Sequence, residues 1–213
     1  MEEKRNYSFK NSDGEIMKLT VRRPNNKEIE DADIEYSKAF FNALKKGLPT
    51  RMVLSNILSA SGAWTQENDN EIVELERQEA LLSTKESKGR EKKRTDEKLS
   101  EIEEKLRDLR RIRNSYFSHC AESVASDAQR DYLVFCTTYY TESGESVWKN
   151  YEDFVSENDG AVLFRTTYEY LTFSSDVPST IPNEDEDVKK EEEKEVSVVN
   201  AEETTVEESP GAN

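Results

Sequence analysis

The apolar positions of the chain alternate at its start and then follow a helical period for most of its length. Residues 7–9 and 16–21 alternate apolar and polar side chains on either side of the pair Asp13-Gly14. This pattern predicts a β-hairpin with a tight turn. Because an isolated two-stranded hairpin is only marginally stable in water, we expect it to pack on helices.

Helical periodicity is strongest between residues 71 and 117. In the second half of this stretch the apolar positions are separated by alternating steps of three and four residues, namely Leu99, Ile102, Leu106 and Leu109. Such spacing is typical of a coiled-coil seam. A weaker seam precedes it at Ile72, Leu75 and Leu82. Gly89, in the polar stretch between, favours two antiparallel helices. One continuous helix is the alternative, because glycine costs only about 1 kcal/mol relative to alanine.

Shorter helices are predicted before this hairpin of helices. Residues 27–46 carry an apolar stripe, with Asn26 as the expected N-cap and Gly47 as the terminator. A second short helix should begin at Pro49-Thr50 and end at Gly62. Trp64 lies in the next turn, and we expect it to fasten that turn to the core.

Three further helices are predicted after the long hairpin. The chain should break near residues 123–126, and Asp127 should cap a helix that runs through Tyr139. Ser146 should cap a short helix that contains Trp148. Residues 161–173 are expected to be a last helix, although their threonine and tyrosine content also suits a strand.

The predicted fold is mainly α-helical. It has an N-terminal β-hairpin, a helical bundle with a projecting long antiparallel hairpin of helices (a coiled coil), and a disordered acidic C-terminal tail. The predicted segments are 1–65 for the β-hairpin with its helices, 66–122 for the charged helical hairpin, 123–173 for an aromatic-rich region that packs on the N-terminal part, and 174–213 for the tail.

Charge is distributed unevenly along the chain. Of the 213 residues, 46 are acidic and 30 are basic, which gives a net charge of −16. Residues 176–213 contain 13 acidic and 3 basic residues and therefore carry −10 of it. No aromatic residue follows Phe173, so this tail is expected to stay disordered. Its deletion should then leave the stability unchanged, and binding of nucleic acid is not expected.

The location expected from the sequence is the cytoplasm, or the host cytoplasm for a phage protein. Cys120 and Cys136 are the only cysteines and form no CxxC pair, which fits a reducing compartment. The N-terminus lacks an apolar signal segment. No apolar run approaches the roughly 20 residues of a membrane helix.

The search for catalytic chemistry favours a protein that is not an enzyme. His119 precedes Cys120, but consecutive helical residues point in different directions, so the two do not form a nucleophile–base pair. No glycine-rich phosphate loop occurs. The paired acidic residues lack calcium-loop spacing. We therefore expect no catalytic, cofactor-binding or metal-binding residues, and no cofactor.

Two groups of residues are candidates for binding. The first is the basic tip of the helical hairpin, with a net charge of +4: Lys85, Lys88, Arg90, Lys92, Lys93 and Arg94 against Glu86 and Glu91. It suits a solubilising end, an acidic surface or the protein's own tail, and it lacks the aromatic residues that stack on bases. The second group is Trp148, Tyr151 and Phe154, spaced to share one helical face. These three border a partner surface or pack in the core. The next candidate surface lies around Phe41.

Several segments in a fixed order resemble the tail assembly chaperones of tailed bacteriophages. They run from the opening strand pair to an aromatic segment: Val21-Arg22-Arg23-Pro24-Asn25-Asn26-Lys27-Glu28-Ile29, then Asp33-Ile34-Glu35-Tyr36-Ser37-Lys38-Ala39-Phe40, then Gly62-Ala63-Trp64-Thr65, a charged helical hairpin, and Val147-Trp148-Lys149-Asn150-Tyr151-Glu152-Asp153-Phe154. The resemblance covers roughly residues 7–173 and includes no catalytic signature.

The resemblance implies a non-enzymatic chaperone that binds the tape-measure or tail-tube protein before the tail assembles. A helical scaffold with an aromatic groove would cover an apolar partner helix. The alternatives are a structural coiled-coil component of a virion or other complex, and a small acidic regulatory protein. The helical hairpin also offers a surface for pairing with a second copy of the chain.

Overall fold

The computed structural model describes residues 3–84 and 90–184, within which the chain is mainly helical with an N-terminal antiparallel β-hairpin. The elements, in order, are β1 (Lys4–Lys10), β2 (Ile16–Arg22), α1 (Asn26–Lys45), α2 (Arg51–Ser61), α3 (Gln66–Ser83), α4 (Arg90–Phe117), α5 (Ala121–Thr137), β3 (Thr138–Tyr140), α6 (Tyr151–Val155) and α7 (Gly160–Ser174). No helix in the described ranges is both long enough and apolar enough to span a membrane.

The described residues form two units. The sheet unit combines residues 3–32 with residues 130–184, and the hairpin unit comprises residues 33–129. The unit boundaries therefore fall inside α1 and α5. This division differs from the predicted one, because α2 and most of α1 belong with the long helical hairpin and not with the β-hairpin.

The sheet unit is built on the predicted β-hairpin. Tyr7 of β1 pairs with Leu19 of β2, and the turn between the strands contains Gly14 at φ 84°, a left-handed conformation that glycine adopts without strain. The sheet has a third strand, β3, beside β2. The predicted helix through Tyr139 was therefore wrong at its end, because Tyr139 pairs with Thr20 in the sheet.

The core of the sheet unit lies between the sheet and the helices that follow it. Its buried members come from both ends of the chain: Tyr7, Phe9, Leu19, Val21, Val134, Trp148, Phe154, Val162, Tyr170 and Phe173. Residues 160–174 form a helix, α7, so the strand alternative for this segment is excluded. Asp159 caps α7 and also accepts hydrogen bonds from Ser12, which lower the pKa of its carboxyl to about 2.

The hairpin unit contains the predicted seam. Leu106 of α4 is 1% exposed and packs with Ile72 and Leu75 of α3. Arg110 of α4 binds Glu76 of α3 at 2.8 Å, and Arg113 of α4 binds Asp69 of α3 at 2.8 Å. The later residue of α4 therefore binds the earlier residue of α3. α3 and α4 are therefore antiparallel, and the alternative of one continuous helix is excluded.

Helix ends in the structure are set by capping side chains. Asn25 caps α1, one residue before the predicted Asn26: its Oδ1 accepts from the amide of Glu28, whose carboxylate accepts from the amide of Asn25. Thr50 and Gly62 bound α2 as expected from the sequence. The predicted break at residues 123–126 was wrong, because α5 already begins at Ala121.

The structure describes the segment that follows α7, through Glu184. Residues 176–184, here called the strap, pack on β1 and α7 through hydrogen bonds that include Arg5 to the carbonyl of Val177 and Ser179 to Glu169. The prediction of disorder from residue 174 was therefore wrong for residues 174–184. The remainder of the predicted acidic tail, 185–213, lies outside the described residues.

We expect a chain that ends at Ser175 to melt at a lower temperature than one that ends at Glu184. The strap makes several hydrogen bonds and ion pairs to the sheet unit, and each contributes about 1 kcal/mol or less. A combined loss of about 2 kcal/mol would lower the melting temperature by roughly 5 °C, measured by circular dichroism. Identical melting curves would show that the strap does not stabilise the sheet unit.

Candidate protein-binding surface

The aromatic residues proposed to border a partner surface belong to the core. Trp148 and Phe154 are buried and meet edge to face at 4.8 Å, and the Trp148 indole donates to Glu157. Tyr151 is half-buried and stacks on Phe154. The structure therefore supports the competing explanation, core packing, and provides no open face formed by these three rings.

Exposed apolar side chains occur instead on α2. Leu54 and Leu58 of this helix pack into the hairpin unit's core, which also contains Trp64. Met52, Val53 and Ile57 point elsewhere, and the exposed fractions of Met52 and Ile57 are 71% and 56%. Val53 and Ile57 are four residues apart, so they share one side of the helix. We call these three residues the α2 stripe.

A second exposed set lies on α1, within the hairpin unit. Ile34 and Phe41 are seven residues apart, which places them on one side of the helix, and Phe41 is 60% exposed. Phe40 meets Phe41 edge to face at 5.7 Å and stacks on Tyr36, which restrains the exposed ring. The surface around Phe41 was the second candidate from the sequence, and the structure leaves it open.

The α2 stripe could have been recognised from the sequence. Apolar side chains at positions 52, 53, 54, 57 and 58 surround more of the helix than one core can cover. A helix of this type exposes the surplus unless a partner covers it. The sequence argument used these five residues only to place a short helix and so missed the signal.

The basic tip of the helical hairpin is described only in part. Lys85 and Lys88 lie outside the described residues, and the side chain of Arg90 is not described either. Lys92, Lys93 and Arg94 are exposed near the start of α4. Binding by the tip stays a prediction.

The Cys136 thiol is placed where its nucleophilic form is disfavoured. Burial raises the pKa of the Cys136 thiol to about 12, so its reactive thiolate is scarce at neutral pH. Cys120 is buried and contacts Ser123, whereas the neighbouring His119 is exposed. No cluster of three or more His, Cys, Asp or Glu residues within 3–84 and 90–184 is arranged to hold a metal ion.

The sheet unit contains one buried cluster of charged groups. Glu169 is fully buried, 3.0 Å from Arg165 and 3.6 Å from Arg5. The guanidinium of Arg165 lies over the ring of Tyr7. Burial, and next the charge of Glu169, raise the pKa of the Tyr7 hydroxyl far above its usual value. Sequence reasoning did not find this cluster, because its members come from opposite ends of the described chain.

No model of a known protein family matches the sequence, and comparison with curated proteins and with solved structures found no match.

Proposed function

We propose that this protein is a non-enzymatic assembly chaperone of the tailed-bacteriophage kind. In this proposal it holds an apolar helical segment of the tape-measure or tail-tube protein until the tail assembles. The observation that carries the proposal is the exposure of large apolar side chains on α1 and on the α2 stripe, within a highly charged protein.

The exposed side chains have the right chemistry for a transient helical partner. Fully burying one large apolar side chain contributes about 1.5–3 kcal/mol, and five of them are available: Ile34, Phe41, Met52, Val53 and Ile57. The combined free energy of burying them is of the size needed to offset the translational and rotational entropy that two chains lose when they associate. Methionine adapts its shape to different partners, as in other promiscuous helix binders.

The charge of the protein supports the same role. A complex with an exposed apolar helix would aggregate unless the chaperone supplied a soluble exterior. The net charge of −16 provides such an exterior, and α3 contributes six carboxylates to it: Glu67, Asp69, Glu71, Glu74, Glu76 and Glu79.

The experiment is capture of a co-expressed tape-measure or tail-tube protein by variants of the full chain. We expect Ile57→Glu to reduce capture at least about tenfold, because a carboxylate would be buried against an apolar helix, while its melting temperature stays that of the parent. Ser59→Glu is the matched control, since this exposed residue lies on another side of α2. Undiminished capture by both Ile57→Glu and Phe41→Glu would overturn the proposal for these two exposed sets of residues.

A structural coiled-coil role is the second candidate, and one feature of the helical hairpin favours it. A groove of about 490 Å³ runs between α3 and α4, lined by Leu75, Leu82 and Ile102 beside the exposed Leu81. A further helix, including one from a second copy, would fit there. Mass spectrometry of purified particles separates the two roles, because a chaperone leaves the mature particle and a structural component remains in it.

A further inference from the structure

The strap, residues 176–184, is held in its groove through both its backbone and its side chains. Arg5 donates to the carbonyl of Val177 at 2.9 Å, and Arg165 donates to the carbonyl of Ile181 at 3.1 Å. The side chain of Asn183 accepts from the backbone amide of Ser8 in the edge strand β1 at 3.2 Å. Hydrogen bonds to the carbonyls of an extended segment, combined with sites for individual side chains, are a means by which proteins bind peptides.

One side chain of the strap is recognised by a buried carboxylate. The hydroxyl of Ser179 donates to Glu169 at 2.6 Å, and Glu169 is held between Arg165 and Arg5. The acceptor is therefore fixed before a ligand hydroxyl arrives. The groove selects a serine or threonine at this position, because an aliphatic residue would leave a buried carboxylate oxygen without its donor.

The strap leaves two hydrogen-bond donors of the groove unpaired and part of its volume unfilled. Among the described residues, Nε and Nη1 of Arg165 have no hydrogen-bond acceptor, although this side chain is only 3% exposed. A cavity of about 550 Å³ also remains between the strap and the wall formed by Arg5, Tyr7 and Phe173. Buried donors without acceptors are unfavourable, so a longer or more polar segment would fit this groove better than the strap does.

Basic side chains of the groove bind the acidic residues at the two ends of the strap. The walls carry four cations and one anion, Arg5, Lys10, Arg23, Arg165 and Glu169, in a protein whose net charge is −16. Asp176 at the start of the strap binds Arg23 at 2.5 Å, and Glu184 at its end binds Lys10 at 3.4 Å. The groove therefore favours an acidic residue at each end of a nine-residue segment.

We propose that this groove binds an extended segment of a partner protein and that the strap is the intramolecular occupant which this segment displaces. The partner segment has an acidic residue at each end, a serine or threonine three positions after the first, and an asparagine before the last. The site lies in the sheet unit and does not depend on the proposed chaperone surface of the hairpin unit. Because the strap is tethered, its high effective concentration limits binding to segments that fit better than it does.

The probe is a fluorescent nine-residue peptide with the sequence of residues 176–184, titrated into the full chain. In the Asn183→Ala chain the strap loses its hydrogen bonds from Ser8 and Arg165. The residues that form the groove walls are unchanged. We expect this chain to bind the peptide about tenfold more tightly than the parent, because two hydrogen bonds no longer hold the competing strap. A peptide of scrambled sequence is the control and should not bind.

A charge exchange tests the position of the peptide. In the Asn183→Ala chain, a peptide with Lys in place of its final Glu should bind a few-fold more weakly than the unchanged peptide, and Lys10→Glu should reverse this preference. Equal binding of the scrambled peptide, or no binding to the Asn183→Ala chain while its melting curve shows it to be folded, would overturn the proposal. The strap would then be only a structural closure of the sheet unit.

Discussion

Leu106→Asp is expected to unfold the helical hairpin of α3 and α4. Leu106 is the most buried residue of the seam, at 1% exposed, and lies in the cluster with Leu58, Trp64 and Phe117. Truncating such a leucine to alanine costs about 2–5 kcal/mol, and a buried carboxylate adds its desolvation. We expect a loss of at least about 4 kcal/mol in the free energy of unfolding.

Trp64 provides the measurement, because it is the tryptophan of the hairpin unit's core. In a Trp148→Phe background its fluorescence follows that unit during urea denaturation, and the substituted parent is the reference. Ser100→Asp is the matched control, since it adds the same carboxylate at an exposed position of α4. If Leu106→Asp denatures like Ser100→Asp, the seam does not stabilise the unit.

Arg165→Met is expected to destabilise the sheet unit by about 3–5 kcal/mol. Arg165 and Glu169 are both buried and lie 3.0 Å apart. Removing one partner of a buried ion pair leaves the other charge uncompensated in a medium of low polarity. Trp148 lies in the core of this unit, so its fluorescence in a Trp64→Phe background reports the unfolding transition.

A double substitution distinguishes the net contribution of the ion pair to the free energy of unfolding from the loss caused by leaving one charge buried without its partner. Arg165→Met with Glu169→Leu should recover much of the stability, because neither charge is then left buried alone. The exposed pair Lys18–Glu142 of the same unit is the matched control, and Lys18→Met should leave the transition unchanged. Equal effects of Arg165→Met and Lys18→Met would contradict the assignment of a buried charge cluster.

The elements that the sequence predicted correctly are those fixed by local chemistry. The β-hairpin follows from apolar alternation around Gly14, and the long helices follow from the spacing of leucine and isoleucine before and after Gly89. Thr50 caps the start of α2, and Gly62 ends it in a left-handed backbone conformation. Both preferences involve only residues within one helical turn. These signals involve residues close in sequence.

The candidate sites were harder to predict, because burial is decided by distant parts of the chain. Spacing alone allowed Trp148, Tyr151 and Phe154 to share a face, but it does not show whether that face is covered. In the fold, residues of β1, β2 and α7 complete their cluster. On α2 the reverse holds, since the core accommodates Leu54 and Leu58 and leaves Met52, Val53 and Ile57 exposed.

By itself the sequence determined the helical character of this protein, the apolar seam positions of α3 and α4, and the distribution of charge along the chain; the structure decided that α3 and α4 are antiparallel. Only the tertiary structure decided that residues 138–140 join the sheet, that Arg5, Arg165 and Glu169 meet, and that the strap closes over them. The reason is physical. The pairing of β3 with β2 and the contact of Arg5 with Glu169 join residues more than 100 positions apart, and their energies exist only once the chain has folded.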